Sequence, residues 1–173
     1  MIDNGLDASE VDERVAGPIE RTRYVVTIDL SPDEVVRALV DFGPERPEIW
    51  RETSHPAVYR VHQVGETDAE VTEGVPFAWS RERYDWSEPG AVTLTQLASN
   101  VARNGTIRYE ITAEGSGSLV TCTRYREFHG LRGRLAGSLM TIFGARLLKA
   151  QFRAGCERWR RRRVGQDERP SGY

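Results

Sequence analysis

Three histidines (His55, His62 and His129), two cysteines (Cys122 and Cys156) and a scatter of serines are the residues of this chain that most often carry chemistry. Their spacing assembles no reactive set. No HxxxH or comparable ligand spacing joins the histidines, and no acid stands at a diagnostic offset from them. His129 precedes Gly130 and reads as a turn residue. The serines and cysteines lack a recognisable base partner. No glycine loop lies between a strand and a helix where it could cradle phosphate, and "GSGS" falls between two strands as a hairpin. Neither a metal nor a cofactor is expected.

A different signal lies in the segment "RLAGSLMTIFGARLLKAQFRAGCERWRRRR", Arg134 to Arg163, part of a helix expected over Leu131 to Arg163. Gly133, Gly137, Gly144 and Gly155 each cost about 1 kcal/mol relative to alanine in a helix interior. At about 100° per residue all four fall within an arc of about 40°. Beside that stripe lie Ala136, Leu139, Met140, Phe143, Leu147, Ala150 and Ala154, with Leu148 and Phe152 on its other flank. Arg134, Ser138, Arg146, Lys149, Arg153 and Arg160 occupy the opposite side, so the glycines sit in the buried sector. Such a line either admits a close approach of the packed sheet or leaves volume for something else. Gln151 falls in the same line, and a buried amide there needs a partner.

The rest of the chain supplies the sheet. "RYVVTIDL" alternates Tyr24, Val26, Ile28 and Leu30 against polar positions, the period of a half-buried strand. "SPDE" then starts a helix, with Ser31 as N-cap, Pro32 at the first position and Glu34 closing a capping box. Val35, Val36, Leu39 and Val40 form its buried stripe, and "PERPEIW" adds a turn or two ending in Trp50. Turn signals then separate six strands, expected at about 57–64, 69–75, 77–87, 91–98, 105–113 and 118–128. In "TIRYEIT", Ile107, Tyr109 and Ile111 share one face. In "FAWSRERYDW", Phe77 and Trp79 share one parity while Tyr84 and Trp86 share the other, so a bulge or bend between Ser80 and Arg83 is expected to bring both pairs inward.

A chain of 173 residues suits one domain with room for a cavity. Residues 1–20 read as an acidic mobile tail, 21–163 as the domain, and 164–173 as a disordered C-terminal tail. The start lacks the basic residues and apolar core of a signal peptide and the two isolated cysteines suit free thiols, so a cytoplasmic location is expected. A net charge of −2 gives no general argument for nucleic acid, and no apolar run is long enough for a transmembrane segment. Arg158 and Arg160 to Arg163 concentrate five arginines in six positions, read as a solvated helix end or as a contact for a partner. The basic face opposite Leu and Phe also fits a peripheral membrane helix. A sheet with one apolar face needs a cover, however, and no other helix is long enough.

Strand, capped helix, short helix, six strands and a long terminal helix together resemble the helix-grip fold of the START-like superfamily, which includes the polyketide cyclase/dehydrase and lipid-transport proteins. The motifs behind the resemblance are "IDLSPDEVVRALVDFGPERPEIW", "SRERYDWSEPGAVTLTQL" and "GLRGRLAGSLMTIFGARLLKAQFRAGCERW". It implies an α+β fold, a seven-stranded curved antiparallel sheet wrapped around the C-terminal helix, with a cavity between them for a small hydrophobic ligand such as a lipid or polyketide. Ligand-binding positions implied on the body of the fold are Trp50, Tyr59, Trp79, Arg81, Gln96 and Tyr109. Those on the helix are Met140, Phe143, Gly144, Leu147 and Gln151. The cyclase relatives imply a second activity, ring closure of a poly-β-ketone, with Arg81 stabilising enolate charge and Tyr109 relaying a proton. A third reading is a partner-binding module acting through the Arg-rich end.

Overall fold

Tyr24, Val26 and Ile28 give the first strand one apolar face, and the core grows from that row. The computed structural model describes residues 18–167, and side-chain environments for 18–135 and 144–165. Its elements run β1 (Ile19–Ile28), α1 (Pro32–Leu39), α2 (Arg46–Ile49), β2 (Arg60–Val64), β3 (Asp68–Val75), β4 (Ala78–Asp85), β5 (Ala91–Ser99), β6 (Ala102–Glu114), β7 (Gly117–Phe128) and α3 (Gly130–Asp167). The seven strands form one antiparallel sheet in the order β1-β7-β6-β5-β4-β3-β2. Between β1 and β2 the chain crosses from one edge to the other through α1 and α2. This is the α+β helix-grip arrangement, with the sheet curled around α3.

The start of α1 shows why a short helix forms there. Pro32 presets the first turn, and the Ser31 backbone N–H and hydroxyl both donate to the Glu34 carboxylate, at 2.8 and 2.7 Å. Those two bonds hold the Glu34 carboxyl below its usual range. Val35, Ala38 and Leu39 are the residues that α1 buries.

Along α3, Leu148, Phe152, Cys156 and Trp159 recur at helical spacing and are buried against the sheet and α1. The glycines sit beside this stripe. A Cβ on Gly155 would lie 2.4 Å from the Trp50 ring, and one on Gly133 would lie 2.3 Å from the carbonyl oxygen of Val101. Both glycines therefore permit close approach, and Gly144 is buried as well. Gly137, Ala136, Leu139, Met140 and Phe143 fall outside the described side chains. So do the acidic tail before Pro18 and the residues after Asp167, which lie outside the described residues altogether.

Strand β4 departs from expectation. Its alternation is unbroken: Ser80, Glu82 and Tyr84 face inward, Trp79 keeps the opposite parity, and Phe77, ahead of the strand, is 67% exposed. A register shift does occur at Arg81/Glu82, but the extra residue is Leu97 on β5. A second shift, between Arg103 and Thr106, bends β6 against β7 and includes Asn104 at φ 54°. These irregularities increase the curl of the sheet without bringing Phe77 and Trp79 to the parity of Tyr84.

The Arg-rich end also finds partners within the domain. Arg158 donates to the Ile49 carbonyl at 2.6 Å and pairs with Glu52, Arg160 pairs with Asp29, and Arg162 spans Glu45 and Glu48. Arg163 lies over the Trp159 ring, and Arg161 pairs with Glu157 one turn earlier. The arginine run is thus largely engaged in holding the end of α3 to α2 and the β1–α1 connection. No described helix is long and apolar enough to cross a membrane.

Because a Cβ on Gly155 would press on three atoms of the large Trp50 ring, a methyl group there has nowhere to go. Gly155→Ala should lower stability in urea titrations by about 1–3 kcal/mol and shift tryptophan emission as Trp50 moves. Gly165→Ala, where nothing lies within 4 Å, should be neutral or mildly stabilising.

Candidate functional site

Sheet curvature and the two glycine contacts leave a cavity of about 300 Å³ between α3 and the inner face of the sheet. Its apolar wall includes Leu39, Trp50, Leu94, Ile107, Leu147 and Leu148. Tyr109 stacks on Phe152 with ring centres 5.4 Å apart, and the Trp50 indole N–H donates to the Ala38 carbonyl at 3.2 Å. Trp50 and Tyr109 are therefore held by contacts within the domain before any ligand arrives.

Three buried polar groups interrupt this wall. In the first, Arg46 makes a two-pronged pair with Glu73 at 2.9 and 3.2 Å, and also donates to the carbonyls of Leu39 and Asp41 and to the Tyr84 hydroxyl. Tyr84 in turn donates to Glu73. The rings of Phe42, Trp50 and Tyr84 surround the guanidinium. Burial opposes the Arg46 charge, but Glu73, Tyr84 and Tyr59 together more than offset it, so its pKa is raised, while burial drives the Tyr84 phenol well upward. This group ties α2 to β3 and β4.

The second group is a cross-strand row, Tyr24 on β1, Cys122 on β7 and Tyr109 on β6. Burial raises the pKa of all three. Tyr109 therefore presents a neutral phenol to the cavity.

The third group lies at the start of β1. Glu20 and Arg126 are directly opposite in the β1–β7 register, and Arg124 stands one step further along. Arg124 Nε lies 3.3 Å from the Glu20 carboxylate, while Arg126 reaches across the curled sheet to Glu82, which also accepts from Ser80 at 2.7 Å. Burial works against the charge on Arg124, but Glu20 and the smaller contributions from Tyr109, Cys122 and Glu82 together outweigh it and raise the pKa. Among the described residues, no group of three His, Cys, Asp or Glu side chains could hold a metal.

The expected binding positions divide. Trp50, Tyr109, Leu147 and Gln151 line the cavity, and Trp79 contributes near the β3–β4 turn. Arg81 does not: it lies on the outer face paired with Glu70, because β4 keeps its alternation. Gln96 and Tyr59 are not among the lining residues. The Gln96 amide donates to the Ala102 carbonyl at 2.8 Å and packs over Gly105, while the Tyr59 hydroxyl donates to the Phe42 carbonyl at 2.8 Å, with burial pushing its pKa up to about 12. Gly144 is buried but does not line the cavity, and the side chains of Met140 and Phe143 are outside those described.

Sequence reasoning missed Glu20, Arg46, Glu73, Glu82, Arg124 and Arg126, all of which line the cavity. A usable signal existed on β7. Arg124 and Arg126 continue the parity of Val120 and Cys122, and Phe128 closes the row.

A family model described as "Polyketide cyclase / dehydrase and lipid transport" matches residues 20–162. No curated protein sequence matches the chain. Among solved structures, the Zhui aromatase/cyclase from Streptomyces sp. R1128 is 15% identical, with 83% of this chain and 95% of that one covered at a TM-score of 0.67. A START superfamily protein from Mycobacterium smegmatis is 11% identical over 76% of this chain and 96% of its own, at 0.56. Norcoclaurine synthase from Thalictrum flavum, in truncated form, is 10% identical over 82% and 94%, at 0.57. At such identities the likeness is one of fold.

Cutting the first polar group at one side should expose its role. Arg46→Ala leaves the Glu73 carboxylate buried without its partner and should cost about 3–5 kcal/mol in denaturant titrations. Arg81→Ala, at a pair on the outer face, should cost no more than about 1 kcal/mol.

Proposed function

Since the chain belongs to the polyketide cyclase/dehydrase and lipid-transport family, we propose that it binds a small hydrophobic molecule in the cavity between the sheet and α3. The supporting observation is the cavity itself: about 300 Å³ lined by aliphatic and aromatic groups, at the lower end of the range for small-molecule sites. Removing apolar ligand surface from water supplies the affinity. The paired polar groups in the wall restrict which molecules fit.

A second reading, ring closure of a poly-β-ketone, draws support from the neutral Tyr109 phenol and from Arg124 and Arg126 in the same wall. The guanidinium groups suit an enolate oxygen, and the phenol suits proton donation to the alkoxide formed as the carbon–carbon bond closes. Arg81 has no part in this version, being on the outer face.

One experiment with two arms tests both readings. Native mass spectrometry of untreated protein, followed by displacement of a fluorescent lipid, should show one apolar ligand per chain; protein that neither carries nor accepts such a ligand would refute the binding function. A presented poly-β-ketone should cyclise with the wild type and at least a hundredfold more slowly with Tyr109→Phe. Unchanged turnover in that variant would remove the cyclase assignment.

A further inference from the structure

The Glu20 end of the cavity carries polar atoms that no described residue meets. The Glu20 side chain is 1% exposed and lines the cavity, yet neither carboxylate oxygen receives a hydrogen bond from a described residue. Arg124 Nε is near Glu20 but misaligned for a hydrogen bond, and both it and Arg126 Nε are buried without an acceptor. Elsewhere in the wall this does not happen: Arg46, Glu73 and Tyr84 satisfy one another. Buried polar groups in native proteins are nearly always hydrogen-bonded, so unmet ones grouped on residues of a cavity wall point to an occupant.

The unmet atoms also describe that occupant. Glu20 needs a donor, and the Nε–H groups of Arg124 and Arg126 need an acceptor. The charges are already balanced, Glu20 with Arg124, Glu82 with Arg126, Glu73 with Arg46 and Glu52 with Arg158. A ligand carboxylate would accept from the guanidinium groups but oppose Glu20; an ammonium group would donate to Glu20 but oppose the arginines. A hydrocarbon end would leave every atom unmet. Only a neutral group that both donates and accepts answers the set.

We propose that the Glu20–Arg124–Arg126 end of the cavity is a subsite for a hydroxyl group, phenolic or alcoholic, on the ligand's otherwise apolar body. This rests on the binding function above and narrows it. The hydroxyl donates to Glu20 and accepts from an arginine Nε–H, while the body lies against Leu94, Ile107, Leu147 and Leu148.

Three probes with one apolar body separate the possibilities by calorimetry at pH 7: naphthalene, 2-naphthol and 2-naphthoate. The wild type should bind 2-naphthol at least tenfold more tightly than either of the others. In the double variant Glu20→Met/Arg124→Met, which replaces the pair by apolar groups of similar length, 2-naphthol and naphthalene should bind within about twofold of each other. Circular dichroism establishes that this variant folds; if it does not, the wild-type comparison decides alone. Equal wild-type affinity for naphthalene and 2-naphthol would overturn the subsite and leave the binding function standing, with water meeting the polar atoms. Preference for 2-naphthoate would overturn it in favour of an acid. Binding of none of the three would count against both the subsite and the binding function.

Discussion

How closely a helix can approach a curled sheet is the constraint on which the rest of this structure depends. Gly133 and Gly155 are two points where α3 meets its neighbours with no room for a side chain, against the Val101 carbonyl and the Trp50 ring. They are separated by about 33 Å of helix. Leu147, Leu148 and Gln151 lie between them and line the cavity. Between the two contacts the helix and the concave sheet stand apart, and the cavity lies in that span. The arginines at the far end of α3 strengthen the arrangement by pairing with α2 and the segments beside it.

Buried charge gives that hollow its second character. An apolar lining alone would admit almost any molecule of suitable size. Here the Arg46 group uses its polar atoms internally and acts as structure, whereas the Glu20 group, also in the cavity wall, has buried atoms without hydrogen-bond partners among the described residues. Both are embedded among apolar side chains, where an unmatched charge or hydrogen bond costs far more than in water. Such groups can thus favour one class of molecule over another.

Much of the scaffold was legible because local chemistry and global fold agree. Alternation in β1 and β6, the Ser31–Glu34 cap and the four aligned glycines each led to elements the structure contains. The binding wall was harder to read because strand reasoning sends charged residues outward. On β4 that rule favoured Phe77 and Trp79 over Ser80 and Glu82, which face inward together with Tyr84. Glu20 was lost among the acids of the N-terminal segment, although β1 begins at Ile19. Arg46 looked like a surface residue of a short turn, and only tertiary structure brings Glu73 and Tyr84 to it. Where β5 absorbs the extra residue at Leu97, no sequence signal distinguishes it from β4.

Xenon offers the most direct measurement of the hollow, since it enters apolar voids and needs no knowledge of the natural ligand. Crystals held under xenon pressure should show the gas between Leu94, Ile107 and Leu147, beneath the span of α3 that joins the two glycine contacts. Density filled by protein side chains, with no xenon there, would contradict the account.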